Sequence, residues 1–136
     1  MDFSKSMAVA ASGMRAQTDR MKVISENIAN ASSTASVKGG DPYRRKIATM
    51  GSTFDHELNT NLVEAGKPLA DRSEFKSQYD PGNPTADAQG YVKLPNVNSL
   101  VEALDMREAQ RAYEANLNVI ETSRAMELRT LDLLKK

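Results

Sequence analysis

The side chains that could carry chemistry in this chain are few, and none belongs to a complete catalytic set. The one histidine, His56, directly follows Asp55. A serine hydrolase would also need a nucleophile on a strand-to-helix elbow, and the sequence has no Gly-x-Ser-x-Gly stretch. Cysteine is absent, which removes disulfides, thiolate nucleophiles and thiolate zinc sites. We therefore predict no catalytic residues and interpret His56 as a surface residue in a turn or short strand.

Three further segments contain residue types that bind ligands, but their spacing is wrong. Lys38–Asp41 has two glycines without the spacing of a phosphate-binding loop. The oxygens of Asp80, Asn83 and Asp87 lack the calcium spacing of an EF-hand loop. Arg44–Lys46 offers only three positive charges, too few to anchor acidic lipid, so we favour a solvated strand face or an intersubunit salt bridge. The sequence predicts no metal site and no cofactor.

Composition excludes further classes of protein. The 136 residues contain 18 lysines and arginines and 18 aspartates and glutamates, so the formal net charge is zero. Without surplus positive charge, the chain is a poor binder of nucleic acid. Its apolar runs are far shorter than the roughly 20 residues of a membrane span, and no basic start leads into an apolar block as in a secretory signal. We predict neither a direct membrane span nor a cleaved leader.

Proline and glycine divide the chain into three segments. All five prolines lie between Pro42 and Pro95, whereas the flanks, about residues 3–30 and 98–134, hold no proline and only Gly13. Since proline costs roughly 3 kcal/mol inside a helix, the flanks can form long helices. We predict a mainly α fold in which N- and C-terminal helices form a coiled-coil-like pair around an irregular insert. The segments are 1–30, 31–96 and 97–136, with short strands at Lys46–Met50 and Gly90–Leu94.

Apolar residues of the N-terminal flank recur every seven residues, which is the a/d pattern of a coiled-coil helix. Gln17 is the single polar interruption; it either fixes register or lies exposed where the helix leaves its partner. The methionine row either fills a core within the chain or waits for neighbouring copies. The first row contains Met7, Met14, Met21 and Ile28, and the second contains Phe3, Ala10, Gln17 and Ile24.

The C-terminal flank also has helical periodicity, with one broad apolar face. Asn96 or Asn98 is a plausible N-cap, and a separate apolar group before Asp105 predicts a bend or a change of partner there. The face contains Met106, Ala109, Ala112, Tyr113, Leu117, Val119, Ile120, Ser123, Met126, Leu131 and Leu134, and the separate group contains Leu100, Val101 and Leu104.

The two helices carry more apolar surface than one pairing can cover. Because burial of apolar surface is worth roughly 25 cal/mol per Å², exposed stripes favour association, and a head-to-tail contact that does not close gives a filament or tube. We therefore predict an assembly interface on both helices. Its candidate residues are Phe3, Met7, Met14, Met21, Ile24, Ile28, Met106, Tyr113, Leu117, Ile120, Met126 and Leu131.

Several motifs resemble those of bacterial flagellar axial proteins. Ser12–Gln17 and Asn27–Ala31 are similar to the N-terminal signature that rod, hook and hook-associated subunits share. Further blocks, in the same order along nearly the whole chain, resemble the proximal rod proteins of the flagellar basal body. They are Asp41–Lys46, Asp80–Asn98, Arg111–Asn116 and Thr130–Leu134.

The resemblance implies a structural subunit and not an enzyme. Such a subunit assembles helically through its terminal helices into a hollow drive shaft that transmits torque. The implied partners are other copies of the chain, other flagellar rod proteins and the flagellar type III export apparatus. The implied location is the basal-body rod crossing the periplasm, reached by export without a cleaved signal peptide. The alternative is a helical adaptor or secreted effector that binds a partner helix in a closed complex.

Overall fold

The computed structural model describes residues 2–135, and most of the regular structure is in two long helices. Helix α1 spans Phe3–Ala29 and helix α2 spans Ser99–Leu134. The segment between them holds short strands, so the predicted mainly α fold with a small β-containing middle is confirmed. The strands are β1 (Lys46–Ile47), β2 (Met50–Asp55), β3 (Thr60–Ala65), β4 (Leu69–Ala70), β5 (Lys76–Tyr79) and β6 (Tyr91–Leu94).

Side chains cap both ends of α1. At the N-terminus, Asp2 Oδ1 accepts a hydrogen bond from the Lys5 backbone N–H at 3.2 Å. At the C-terminus, Asn30 Nδ2 donates to the Glu26 carbonyl at 2.9 Å. The first bond satisfies a backbone N–H that has no partner within the helix. The Glu26 carbonyl also accepts from the Asn30 backbone N–H at 3.1 Å, so the Asn30 side chain adds to the last helical bond. Asn30 does not have the left-handed backbone that asparagine often adopts at this place.

Helix α2 begins at the predicted cap and runs without interruption. Asn98 Oδ1 accepts from the Leu100 N–H at 3.1 Å, as expected of an N-cap. The helix continues through Asp105. Residues up to Met106 cluster with one compact unit of the chain and those from Arg107 with another. The helix is not interrupted near Asp105, and Leu100, Val101 and Leu104 are exposed, so the predicted change of partner stays a prediction.

Tertiary contacts group the chain into two compact units, and each helix contributes to both. The first unit joins the part of α1 up to Met21, the segment Thr49–Lys67 and the part of α2 from Arg107. The second joins Lys22–Ala48 and Pro68–Met106. The three segments predicted from the sequence, 1–30, 31–96 and 97–136, follow one another along the chain. That the first and last form the core of an assembly stays a prediction.

In the first unit, the helices pack against each other in antiparallel directions. Gly13 lies beside Asn116, and the Arg20 guanidinium lies 3.5 Å from the Glu108 carboxylate. A β-carbon on Gly13 would come within 2.8 Å of the Asn116 amide nitrogen. The buried positions of α1 here are small: Ala10, Ser12, Gly13 and Ala16. Small side chains thus allow the close approach, while Met7, Met14 and Met21 are half-buried.

The first unit also holds a hairpin of β2 and β3. The strands are antiparallel, and their register runs from Met50 opposite Ala65 to Asp55 opposite Thr60. The turn between them contains His56, which is exposed and meets the Phe54 ring edge-on at 5.0 Å. The interpretation of His56 as a surface turn residue is confirmed.

The Ser12 hydroxyl fixes the hairpin to α1. It accepts a hydrogen bond from the Val63 N–H at 3.0 Å and donates to the Val9 carbonyl at 2.7 Å. Ser12 is only 1% exposed, so both hydrogen bonds are shielded from solvent. An unpaired polar group at such a buried position would be costly. Strand β3 therefore faces α1, and β2 forms the outer edge of the hairpin.

The second unit contains two small strand pairs. Strand β1 pairs with β4, and β5 pairs with β6, both antiparallel. The Tyr79 and Tyr91 rings, opposite each other on β5 and β6, meet edge-to-face at 5.3 Å. The apolar side chains buried in this unit are Val23, Ile24, Ala35, Pro42, Ala86, Val92, Pro95 and Val97.

The predicted strands are only partly confirmed. The structure has a strand at Tyr91–Leu94, as predicted, but the predicted strand Lys46–Met50 is divided between β1 and the first residue of β2. The rest of β2 and strands β3, β4 and β5 were not predicted. Their sequences mix small, polar and apolar residues without alternation, and this alternation is the signal that marks a half-buried strand.

Candidate functional site

The second unit is organised around a buried polar cluster, which we define as Asn27, Tyr43, Arg45, Asn96 and Glu102. Asn27 and Glu102, from the two helices, are 1% and 0% exposed. Buried groups of this kind are tolerated only when they are hydrogen-bonded or paired with opposite charge. The members of this cluster meet that requirement through hydrogen bonds and ion pairs with one another and with the backbone.

Asn27 holds the backbone of β1 as a neighbouring strand would. Its Nδ2 donates to the Lys46 carbonyl at 2.9 Å, and its Oδ1 accepts from the Lys46 N–H at 3.0 Å. The same oxygen accepts from the Tyr43 hydroxyl at 2.7 Å. Nδ2 also lies 3.5 Å from the Glu102 carboxylate. The side chain of α1 thus anchors the segment that follows it.

Arg45 connects the middle segment to α2 by charge. Its Nε donates to the buried Glu102 carboxylate. One terminal nitrogen lies 3.2 Å from Asp71 Oδ2, and the other lies 3.8 Å from Asp105 Oδ2. The Arg45 side chain is only 21% exposed, so water screens these pairs less than it would at the surface.

Asn96, which lies between β6 and α2, is the remaining member of the cluster. Its Oδ1 accepts from the Arg45 N–H at 2.8 Å, and its Nδ2 donates to the Asp71 carbonyl at 3.0 Å and to the Ser73 hydroxyl at 3.0 Å. The neighbouring Arg44 donates to the Asp71 carbonyl at 2.8 Å, and its guanidinium lies 4.2 Å from the centre of the Phe75 ring. The loop after β4 is therefore fixed by side chains.

The pKa values of Tyr43 and Arg45 in the cluster, and of Asp71 beside it, all shift away from neutrality. Hydrogen bonds from the Ser73 backbone N–H and hydroxyl hold the pKa of the Asp71 carboxyl below its usual range, with Arg45 adding to the effect. Burial is the largest effect on Arg45 and lowers its pKa, but the hydrogen bonds and charges of Glu102 and Asp71 outweigh it and raise the pKa. Burial raises the pKa of the Tyr43 phenol. Proton transfer needs a pKa near the working pH, so these groups serve structure.

The sequence interpretation of Arg44–Lys46 is wrong for Arg45, whose partners lie within the chain and not in solvent or in a neighbouring subunit. A signal for its role was present. Glu102 precedes Met106, Ala109 and Tyr113 by four, seven and eleven residues, so a carboxylate stands on the inward stripe of α2. A charge at such a position requires a buried partner.

The candidate assembly residues fall into three groups by exposure. Ile24 is 4% exposed and belongs to the interior of the second unit. Four residues are exposed: Ile28, Leu117, Met126 and Leu131. The half-buried ones are Phe3, Met7, Met14, Met21, Met106, Tyr113 and Ile120. Of these, the structure brings Met14, Tyr113 and Ile120 together in a shallow groove of the first unit.

Helix α2 continues past the start of α1 in the first unit. Gly13 lies beside Asn116, and Phe3 is ten residues before Gly13, so the start of α1 is level with about residue 126 of the antiparallel α2. The remaining two turns have no α1 residue of this chain beside them. They expose Leu128, Leu131, Leu133 and Leu134, between 50% and 78% each.

The hairpin does not provide hydrogen-bond partners for the whole side-chain amide of Gln17. Among residues 2–135, its Nε2 donates only to the Met50 sulfur, at 4.0 Å. Its Oε1 is buried and has no hydrogen-bond partner among residues 2–135. The alternative of an exposed Gln17 is therefore wrong for the amide oxygen, and a role in fixing register stays a prediction.

Replacing Gln17 with methionine is expected to raise the free energy of unfolding by about 1 kcal/mol, because a buried oxygen without a partner is removed at similar volume. Urea denaturation of the purified chain measures the change. The control is Gln110→Met, the same substitution at an exposed position of α2, with an expected effect within about 0.5 kcal/mol. Lower stability of the Gln17 variant would show that the oxygen has a stabilising role.

Two further properties bear on the kind of site. Within residues 2–135, neither helix is long and apolar enough to cross a membrane. Over the same residues, histidine and carboxylate side chains do not gather in a group of three or more that could hold a metal ion.

The fold and the site define a structural subunit of an assembly. In the first unit the antiparallel helices leave apolar residues uncovered, and in the second unit the buried polar cluster connects its elements. Comparison with known proteins identifies the kind of assembly. A family model described as "Flagella basal body rod protein" matches residues 7–35, and one described as "Flagellar basal body rod FlgEFG protein C-terminal" matches residues 88–133.

Curated relatives match over almost their whole length. "Flagellar basal-body rod protein FlgC" of Agrobacterium fabrum is 51% identical over 98% of this chain and 96% of its own. Proteins of the same name in Bacillus subtilis and Escherichia coli are 37% and 38% identical, over 96% and 92% of this chain and 97% and 92% of theirs. The chain belongs to the FlgC family of flagellar basal-body rod proteins.

Family membership confirms several predictions. The chain is a structural subunit of the flagellar basal-body rod and not an enzyme, and its place is the basal body. These conclusions agree with the resemblance of the terminal motifs. Ser12–Gln17, Asn27–Ala31 and Arg111–Asn116 lie inside the two matched regions, and Thr130–Leu134 extends one residue beyond the second.

Proposed function

We propose that the terminal helices of this subunit assemble helically with neighbouring subunits to form the wall of the rod. The observation that carries the proposal is the end of α2, where Leu128, Leu131, Leu133 and Leu134 are exposed beyond the start of α1. Exposed apolar side chains at this density are typical of an interaction site. A neighbouring helix that covered them would gain roughly 25 cal/mol for each Å² removed from water.

The proposed contact is head-to-tail. The uncovered turns lie at one end of the helix pair in the first unit, and a neighbour reaches them with a different part of its surface. Such a contact repeats without closing and gives a helical tube. Close-packed side chains have low compressibility and transmit strain. A wall of interlocked helices would therefore carry torque as a hollow drive shaft.

The proposed partners are other copies of this chain and other flagellar rod proteins, since the family is defined by rod subunits. We further propose that the chain is exported by the flagellar type III apparatus without a cleaved signal peptide and serves in the proximal rod where it crosses the periplasm. The absence of cysteine supports the last point, because it makes the fold independent of the redox state of the compartment.

An electron-microscopy map of isolated basal bodies tests the proposal. The expected result is a helical repeat in which paired α1 and α2 helices of this subunit line the bore, with the last turns of α2 against a neighbouring subunit. A small closed complex of fixed stoichiometry would support a helical adaptor instead. So would a rod wall in which these turns of α2 face solvent.

A further inference from the structure

The outer edge of β2 presents backbone groups that have no hydrogen-bond partner among residues 2–135. Val63 directs its N–H away from β2, to the Ser12 hydroxyl. In an antiparallel pair, residues directly opposite each other point their backbone groups the same way, both toward or both away from the ladder. Ser52 is opposite Val63, so its N–H and carbonyl also point outward. By alternation, the outward groups of β2 are those of Met50, Ser52 and Phe54.

This edge lacks the features that normally prevent pairing with another chain. No charged residue or proline lies between Ile47 and Phe54, and all residues from Met50 to Phe54 are exposed. Lysines and covered edges protect strands from association. Strands β5 and β6 carry Lys76 and Lys93, and α1 covers the outer edge of β3.

We propose that β2 binds β2 of a second copy of this chain, antiparallel, about a two-fold axis at Ser52. The outward groups of Met50, Ser52 and Phe54 are centred on Ser52, so in this register every outward N–H and carbonyl of one strand meets its complement on the other. Met50 lies opposite Phe54 of the second copy, and Phe54 lies opposite Met50 of the second copy. Each pair is a sulfur–aromatic contact on one face of the sheet.

Pairing of two β2 strands would make the sheet more stable than the hairpin alone. A two-stranded hairpin is marginally stable in water, while three or more strands with an apolar face are stable. Pairing produces a four-stranded sheet in the order β3, β2, β2, β3, with no like charges opposed between the two β2 strands. Because a two-fold contact closes, the dimer is distinct from the open helical contact of the rod, and it concerns the free subunit.

A single cysteine tests the register, since the chain has none of its own. In the proposed dimer, the two Ser52 Cα atoms are about 5.5 Å apart, a separation that suits a disulfide. Ser52→Cys is expected to oxidise to a covalent dimer roughly tenfold or more faster than the control, because paired thiols have an effective concentration in the millimolar range. Non-reducing gel electrophoresis over time measures the rate.

The matched control is Asn61→Cys, an exposed residue of β3 on the same face of the hairpin but far from the axis. Equal oxidation rates for the two variants would overturn the proposal. Ser52→Pro gives a second test, because it removes an outward N–H and no bond of the β2–β3 ladder. Sedimentation should show that the unmodified chain dimerises as its concentration rises and that Ser52→Pro stays monomeric with an unchanged circular dichroism spectrum. Dimerisation of the proline variant would also overturn the proposal.

Discussion

Replacing Arg45 with methionine is expected to lower the free energy of unfolding by about 3–5 kcal/mol, because it leaves a buried carboxylate without its cation. The Glu102 side chain is only 1% exposed, and Arg45 provides its salt bridge. Methionine keeps most of the aliphatic volume, so packing changes little. Since whole domains are stable by only 5–15 kcal/mol, this single change removes a large share of the total. Urea denaturation followed by circular dichroism measures it.

The control is Arg72→Met, which removes an exposed arginine of the same unit and should change stability by no more than about 0.5 kcal/mol. The double variant Arg45→Met with Glu102→Gln should recover much of the loss, because the buried charge is then gone as well. Together with the single variant Glu102→Gln, the Arg45→Met variant and the double variant form a double-mutant cycle whose coupling energy belongs to this pair. Equal stability of the Arg45 and Arg72 variants would contradict the role assigned to the pair.

The helices of this chain could be predicted from the sequence because their signals are local. The lack of proline over two long stretches and the repeat of apolar residues gave α1 and α2 within one or two residues. Asn98 was one of two candidate caps, with Asn96, because a cap acts on the residues directly after it, and the structure shows that Asn98 is the cap. The hairpin was not predictable in the same way. Strand β2 pairs with β3 and is fixed through the distant Ser12, with no apolar alternation of its own.

The contact between the helices shows why an apolar pattern does not locate the closest packing. The seven-residue repeat placed Met7, Met14 and Met21 at the seam, yet these residues are half-buried. Gly13 and Ala16 are buried instead. Methionine contributes more apolar surface, but it also holds backbones apart, so the closest approach needs small residues. The sequence predicted which helices associate, and the structure identifies the positions.

The buried polar cluster was missed because its members are far apart in the sequence. Asn27 was noticed as part of a motif that resembles flagellar axial proteins, and Arg45 looked like part of a charged surface. Neither interpretation used Glu102, which lies 57 residues after Arg45. Polar residues reveal such a network only when one of them stands at a position that the helical period assigns to the interior. Glu102 meets that condition, so its position in the sequence indicated that a buried partner was needed.

Replacing Leu131 with aspartate is expected to abolish swimming when the variant is the only copy of this subunit in the cell. Leu131 is 50% exposed in the turns of α2 beyond the start of α1. In the free subunit the change should alter the free energy of unfolding by no more than about 0.5 kcal/mol, as for other surface substitutions. In the rod, a neighbouring helix would have to bury an unpaired carboxylate, which is costly. Soft-agar motility and the yield of complete basal bodies measure the effect.

The matched control is Asn118→Asp, which adds the same negative charge on the exposed polar face of α2 and should leave swimming intact. Met21→Asp and Ile120→Asp should also abolish swimming, but both side chains are half-buried within the chain, so these variants should lose stability as well. Leu131→Asp separates assembly from folding because only the assembly should respond. Normal swimming of that variant would show that the end of α2 is not covered in the rod, and a large loss of stability would show that it is already packed within the subunit.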